Sequence, residues 1–264
     1  MQLDKYRHLE IEIDGPIATI RLNRPEHLNA VNQELHSELE TIWDDIGQME
    51  GLRCIIVTGA GRAFSAGGDL KAMSSGEFGD NPGATLMPGA RKIVYSLLGV
   101  RQPVVAAING DCIGLGASIA LLTDYIVMAE DAHIGDPHVR VGLVAGDGGV
   151  PIWPLILGMT RAKEALLLGK LYTGRQALGM GLINQAVPRA EVLPAALKVA
   201  QQLASGPPLA IQWTKHSLNK LVRQAVELSF DTSLALEMLT FMSQDHKRAA
   251  RAFIEKTKPE FEGN

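Results

Sequence analysis

The stretch Pro103–Ala129, PVVAAINGDCIGLGASIALLTDYIVMA, decides how the rest of the chain is read. It opens on Val104–Ile108, small or β-branched throughout, the pattern of a strand buried on both faces. Asn109-Gly110 is a turn dipeptide that stops the strand. Gly114 and Gly116 then space a segment that leads into Ala117-Ser118-Ile119-Ala120-Leu121-Leu122, apolar enough for a core helix. Strand, loop and helix in that order leave the first helical N–H groups without intrahelical partners. Donors at that end of a helix suit an anion, or an oxygen that becomes anionic during a reaction.

Working outward, Cys54–Thr58 is a second buried strand that runs into Gly59-Ala60-Gly61-Arg62 and then Ala63–Leu70, AFSAGGDL. Leu9–Ile13 and Ala18–Leu22 alternate around Asp14-Gly15-Pro16 and predict a hairpin at the sheet margin. Val31, Leu35, Leu39, Ile42, Ile46 and Met49 recur at helical spacing. Residues 74–89, rich in Gly, Ser and Pro, predict a mobile loop before a helix near Ala90–Leu98. Downstream, Tyr125–Met128 and Ile183–Val187 read as strands, Val141–Gly149 as a loop, and Arg161–Leu168 and Arg175–Met180 as short helices. From Ala190 the pattern is helical: Val192–Ala204, Leu209–Arg223, Ala225–Ser243 and Asp245–Glu255. Strands alternating with helices imply an α/β chain with a mainly parallel sheet. The tail carries apolar stripes that must pack on the body or on another subunit.

The 264 residues are 46% hydrophobic and 20% charged, as in ordinary globular proteins. A net charge of −4 and a pI near 6.0 argue against a nucleic-acid surface. Cys54 and Cys112 lie in or beside apolar runs and read as small hydrophobes, not as a disulfide or metal ligands. Charges fill the N-terminus where a signal peptide needs an apolar stretch, and no run reaches the length of a membrane span. The expectation is a cytoplasmic protein with no membrane partner.

The glycine segments admit three readings. Gly59-Ala60-Gly61 and Gly114-Leu115-Gly116 each begin like a dinucleotide fingerprint, but Phe64 and Ile119 stand at the third glycine. Gly116-Ala117-Ser118-Ile119-Ala120 misses the last glycine of a serine-nucleophile elbow and lies too far from the strand; Ser65 lacks the first glycine. Taken together, the junctions Phe64–Leu70 and Asn109–Ser118 could direct two backbone N–H groups at one carbonyl oxygen, an oxyanion hole.

The sequences Ala63–Leu70 and Pro103–Gly110 resemble the paired signatures of the enoyl-CoA hydratase/isomerase (crotonase) superfamily. The resemblance extends through Asn23-Arg24-Pro25, Leu28-Asn29-Ala30, Asp124 and the C-terminal Phe253–Pro259. It implies a crotonase-like spiral of ββα units over residues 1–200 and a C-terminal helical oligomerisation region over 201–264. It also implies an acyl-CoA thioester as substrate, with coenzyme A entering only as part of it, no separate cofactor and no metal. The thioester oxygen would be held by the amides of Gly68 and Leu115. Ala66, Gly67, Asp69, Leu70 and Lys71 would lie along the CoA, with Ser118 beside the substrate and Arg24 a candidate for the phosphates. Leu115, Met73, Met87 and the 74–89 segment would set the acyl pocket. Trimers or dimers of trimers would form through the C-terminal helices.

The family's hydratases add water with two glutamates, and here those positions read Ser118 and His138. Histidine titrates in the useful range, whereas an unassisted serine is a poor base. Asp147, in the glycine loop Leu143–Gly149, is the further proton-transfer candidate, with helix capping as its structural alternative. Asp136 is close enough in sequence to orient His138. The run Asp147-Gly148-Gly149 with Trp153-Pro154 resembles a carbon–carbon bond hydrolase of cyclic β-diketones in the same superfamily. His36 matches one of that enzyme's histidines, while Leu115 stands where another would be. Three functions therefore compete: enoyl-CoA hydration or isomerisation, hydrolysis of a β-dicarbonyl C–C bond, and acyl-CoA binding without catalysis.

Overall fold

The computed structural model describes residues 3–74 and 82–264. The hairpin forms as expected: β1 (Leu9–Asp14) pairs antiparallel with β2 (Ile17–Leu22), and Leu9 lies opposite Leu22. Helix α1 (Gln33–Gly47) starts two residues later than the apolar spacing suggested. Asn32 caps it by accepting from the Leu35 amide, which leaves Val31 outside in a bridge with Gly68. Strand β3 (Cys54–Gly59) is buried throughout and pairs parallel with β2.

The loop expected over 74–89 is corrected in its described part. Leu70–Ser74 is helix α2, and Pro82–Gly99 is one helix, α3, with Pro88 inside it. Leu86, Ala90, Ile93, Val94 and Leu97 bury one face of α3. Burying several such side chains, at about 1.5–3 kcal/mol for each large one, outweighs the ~3 kcal/mol that a helical proline costs. Residues 75–81 of the expected loop lie outside the described residues.

The central strand β4 (Val104–Ile108) is fully buried, as read. After it come β5 (Cys112–Ile113), helix α4 (Leu115–Leu121), β6 (Tyr125–Ala129) and β7 (His133–Gly135). Then follow α5 (Gly149–Leu157), α6 (Met159–Leu168), β8 (Leu171–Thr173), α7 (Gly174–Met180) and β9 (Gln185–Val187). Six strands make one sheet in the order β1-β2-β3-β4-β6-β9, parallel except for β1. A second sheet, β5-β7-β8, is built from strands of two or three residues, too short to leave a periodic signal. Cys54 and Cys112 are free and buried, as small hydrophobes are.

Helix α8 (Val192–Ser205) covers the sheet, and α10 (Gln244–Glu255) packs on α2. Between them the two helices expected over 209–223 and 225–243 are one, α9 (Pro208–Phe241), 34 residues long. No glycine or proline lies between Leu209 and Phe241, so nothing interrupts it. Lys215 pins α9 to the sheet: its ammonium sits 2.6 Å from Asp124 and donates to the Gln102 carbonyl at 2.8 Å. Asp124 in turn accepts from the Val104 amide at the start of β4. Lys215→Ala should therefore lower the unfolding free energy by about 1–3 kcal/mol, read from a urea titration, because it leaves the buried Gln102 carbonyl without its charged donor. No helix among the described residues is long and apolar enough to cross a membrane.

Candidate active site

The parallel strands end where two loops meet, the usual place for a ligand in an open α/β sheet. Asn109 ties them together: its side-chain N–H groups donate to the Gly59 and Gly61 carbonyls, and its oxygen accepts from the Gly59 amide. Asn29 braces the same loop from the other side, donating to the Ala60 and Ala63 carbonyls. Both asparagines come from the quoted signatures, and both serve as loop braces.

Within Ser65–Asp69 the amides are spoken for one after another. Ser65 donates to Asp111, Ala66 to Leu28, Gly67 to the Ser65 hydroxyl and Asp69 to Val31. The Gly68 amide has no partner among the described residues. In the second loop Ile113 donates to Ser65 and Gly114 to Gly135, and the next amide, that of Leu115, opens α4 without an acceptor. A Cβ on Gly67, at φ 83°, would stand 3.0 Å from the Ile113 carbonyl oxygen. The two loops thus abut at a point that tolerates no side chain and needs a conformation glycine supplies.

Gly68 and Leu115 line one cavity of about 50 Å³ together with His36, His138, Asp147 and Glu237. Val31, Met73, Leu86, Ala90, Leu234, Met238 and Phe241 close its apolar walls. His138 stands near the centre. Its Nδ1 is hydrogen-bonded to Asp136, while Nε2 lies 3.6 Å from Asp147 and 3.8 Å from Glu237. Gly114 (φ 54°), in a conformation that favours glycine, lies beside the His138 ring.

Burial alone would lower the His138 pKa, but the carboxylates of Asp136, Asp147 and Glu237 outweigh it and hold it well above the usual imidazole range. Burial pushes Asp147 up to about 6, against the pull of His138. Burial and the neighbouring Asp147 raise Glu237 well above the usual carboxylate range. Asp136, His138 and Asp147 bring possible ligand atoms within 4.8 Å of one another. His138 Nδ1 is engaged with Asp136, so the three form a hydrogen-bonded array.

Asp147 does not cap α5. Gly148 occupies the cap position without a side-chain bond, and Asp147 accepts instead from the Ser118 hydroxyl at 3.4 Å. Ser118 is buried against Asp147 and is not among the residues lining the cavity. Ser65, also buried, donates to the Asn29 carbonyl. Arg24 turns inward, donating to the Ala30 carbonyl and pairing with Asp69 at 3.3 Å, and only 7% of it is exposed. Asp69 uses its other oxygen on the Lys71 and Ala72 amides at the start of α2. Ala66 and Leu70 are half-buried and Lys71 is exposed along the same edge. His36 reaches the cavity from α1 with Nδ1 3.1 Å from Glu40, and Gly89 of α3 packs against its ring.

Glu237 was missed, as were its neighbours Leu234, Met238 and Phe241. Phe230, Leu234, Met238 and Phe241 recur at helical spacing on α9, and Glu237 falls inside that stripe. A charge on an apolar face is the signal that could have found it.

The enoyl-CoA hydratase/isomerase family profile matches residues 12–264. The short-chain-enoyl-CoA hydratase of Clostridium acetobutylicum is 31% identical over 95% of each chain. The 1,2-epoxyphenylacetyl-CoA isomerase of Escherichia coli is 30% identical over 95% of this chain and 97% of that one. The crystal structure of an enoyl-CoA hydratase/isomerase from Mycobacterium paratuberculosis superposes with a TM-score of 0.88 at 36% identity, covering 92% of this chain and 97% of its own. Its paired glycine loops, its spiral of strands and helices and these relatives together place the chain in the enoyl-CoA hydratase/isomerase family of the crotonase superfamily, as an acyl-CoA-processing enzyme.

Proposed function

We propose that the enzyme generates and protonates a thioester enolate, in an enoyl-CoA hydration or isomerisation. The unpartnered amides of Gly68 and Leu115 would hold the thioester oxygen as it gains charge, and Asp147 with His138 would move the protons. The observation that carries this reading is that Gly68, Leu115, His138 and Asp147 line one cavity. Any non-proline residue supplies an N–H, so Leu115 costs no donor, though its side chain narrows the pocket. Ala66, Gly67, Asp69, Leu70 and Lys71 would run along the CoA. No separate cofactor is needed for this chemistry. The test is crotonyl-CoA, followed by loss of enoyl absorbance: turnover supports the reading, and silence across a panel of enoyl-CoA chain lengths overturns it.

A second reading has its own support. By resemblance, Ser118 and His138 stand where the family's hydratases would carry glutamates, and Arg24 is folded inward onto Asp69. Both features suit a compact β-dicarbonyl substrate whose C–C bond is hydrolysed, with Asp147, His138 and His36 around it. A cyclic β-diketone, followed by loss of its enol absorbance, separates the two. Binding of CoA esters without turnover of either substrate would instead favour the scaffold.

The 201–264 region would also mediate self-association into trimers or dimers of trimers. Leu209, Trp213, Leu218, Leu221 and Leu228 all stand exposed on α9. Light scattering at micromolar concentration should give at least three times the monomer mass, and a monomer overturns this.

A further inference from the structure

Three buried carboxyl groups surround one imidazole. Asp136 and His138 come from the turn after β7, Asp147 from the loop before α5, and Glu237 from α9. Other polar groups face the cluster from several sides. These are Ser118 from α4, His36 with Glu40 from α1, and His246 at the start of α10, whose Nδ1 is engaged with the Val141 carbonyl. Fully ionised, the three carboxylates would leave two net negative charges in a buried cluster even with His138 protonated. Like charges so close in a low dielectric do not all ionise, and one proton stays.

The hydrogen bonds say which group keeps it. Asp136 accepts from both the amide and Nδ1 of His138 at Oδ1, although its Oδ2 is buried without a partner. Asp147 accepts from Ser118 and faces Nε2. Glu237 has the poorest provision: Oε2 is buried with no partner, and Oε1 meets only Nε2, at 3.8 Å. Oε2 is pressed against Gly146, where a Cβ would stand 2.6 Å away, so the loop itself walls it off. An ionised carboxylate left so unsatisfied is costly, whereas a neutral acid is tolerated.

We infer that Glu237 is held as the neutral carboxylic acid and is the general acid of this site, with Asp147 the ionised base. The step rests on the enolate reading proposed above. Asp147 takes a proton from substrate carbon or from water. Once the enolate has formed, with its charge on the oxygen held by the amides, its electron pair bonds the proton of Glu237 at carbon. Glu237 is left ionised. His138 Nε2, which faces both carboxyls, gives its proton to Glu237 and takes the one on Asp147. The cycle closes with no net proton gained or lost.

The test joins infrared spectroscopy to kinetics on the full-length protein. At pH 7 the parent should show the C=O stretch of a buried, protonated carboxyl group. That band should vanish in Glu237→Gln and persist in Asp147→Asn. Glutamine keeps the size and the donor but has no proton to give, so kcat should fall about 10²–10⁴-fold with little change in KM, and the alkaline limb of the kcat profile should disappear. A band that survives Glu237→Gln, or unchanged kcat in a folded Glu237→Gln, overturns the assignment. A parent inactive on both crotonyl-CoA and the diketone defeats the enolate reading and the protonation step with it. The band would then still decide where the proton sits.

Discussion

Asp147→Asn should lower kcat about 10²–10⁴-fold, the usual worth of a positioned acid or base, and should leave KM nearly unchanged. Asparagine keeps the shape and can still meet the Ser118 hydroxyl, so the loss would report the missing base and not a collapsed loop. The pH dependence has a definite sign. Burial pushes Asp147 up to about 6, so the ionised base is lost as pH falls through that value. The parent's kcat/KM should drop on the acid side of pH 6, and the variant should lack that limb. Stability should move the other way. A carboxyl whose folded pKa is raised binds its proton more tightly in the native state, and stability is lost as pH rises from about 4 to 6. Asparagine, neutral throughout, escapes that cost, so at pH 7.5 the variant should melt at or above the parent's temperature. Had Asp147 been a helix cap, asparagine would cap equally well and the melting temperature would not rise. Unchanged turnover in the variant would remove Asp147 from the mechanism.

That Asp147 could be singled out from sequence, and Glu237 could not, has a physical cause. Asp147 sits in a run of glycines, where a charged residue is conspicuous and the backbone can come close to a ligand. Glu237 lies on a long helix that reads as oligomer surface. Only the packing of α9 against α3 and α5 turns that residue toward His138. The strands β3 and β4 were legible because burial on both faces leaves an unbroken β-branched run. The small β5-β7-β8 sheet was not, since two or three residues carry no period. Helix α3 was hidden by Pro88 and Gly89, whose local preference is overridden by the face that packs on α1. The partners that fold the Arg24 guanidinium inward, the Ala30 carbonyl and Asp69, leave no pattern in the sequence.

The oxyanion hole can be tested without touching a side-chain catalyst, because Leu115 is the first residue of α4. Proline is well tolerated at that position, where its missing N–H would have no helical acceptor. Gly114 ahead of it has the freedom to accept a following proline, a freedom other residues lack. Leu115→Pro therefore deletes one hydrogen-bond donor while keeping the helix. The expected loss is about 10²–10³-fold in kcat, the cost of one oxyanion donor. Leu115→Ala is the matching control: it removes the same buried side chain but retains the amide. Both variants should lose similar stability from the vacated apolar volume, and the alanine variant should keep most of its turnover. Equal turnover in the two would mean that the Leu115 amide holds no developing charge, and the thioester oxygen would have to be sought elsewhere. A loss confined to the proline variant would tie the chemistry to the main chain of two loops that abut at Gly67, where a side chain would press on the Ile113 carbonyl.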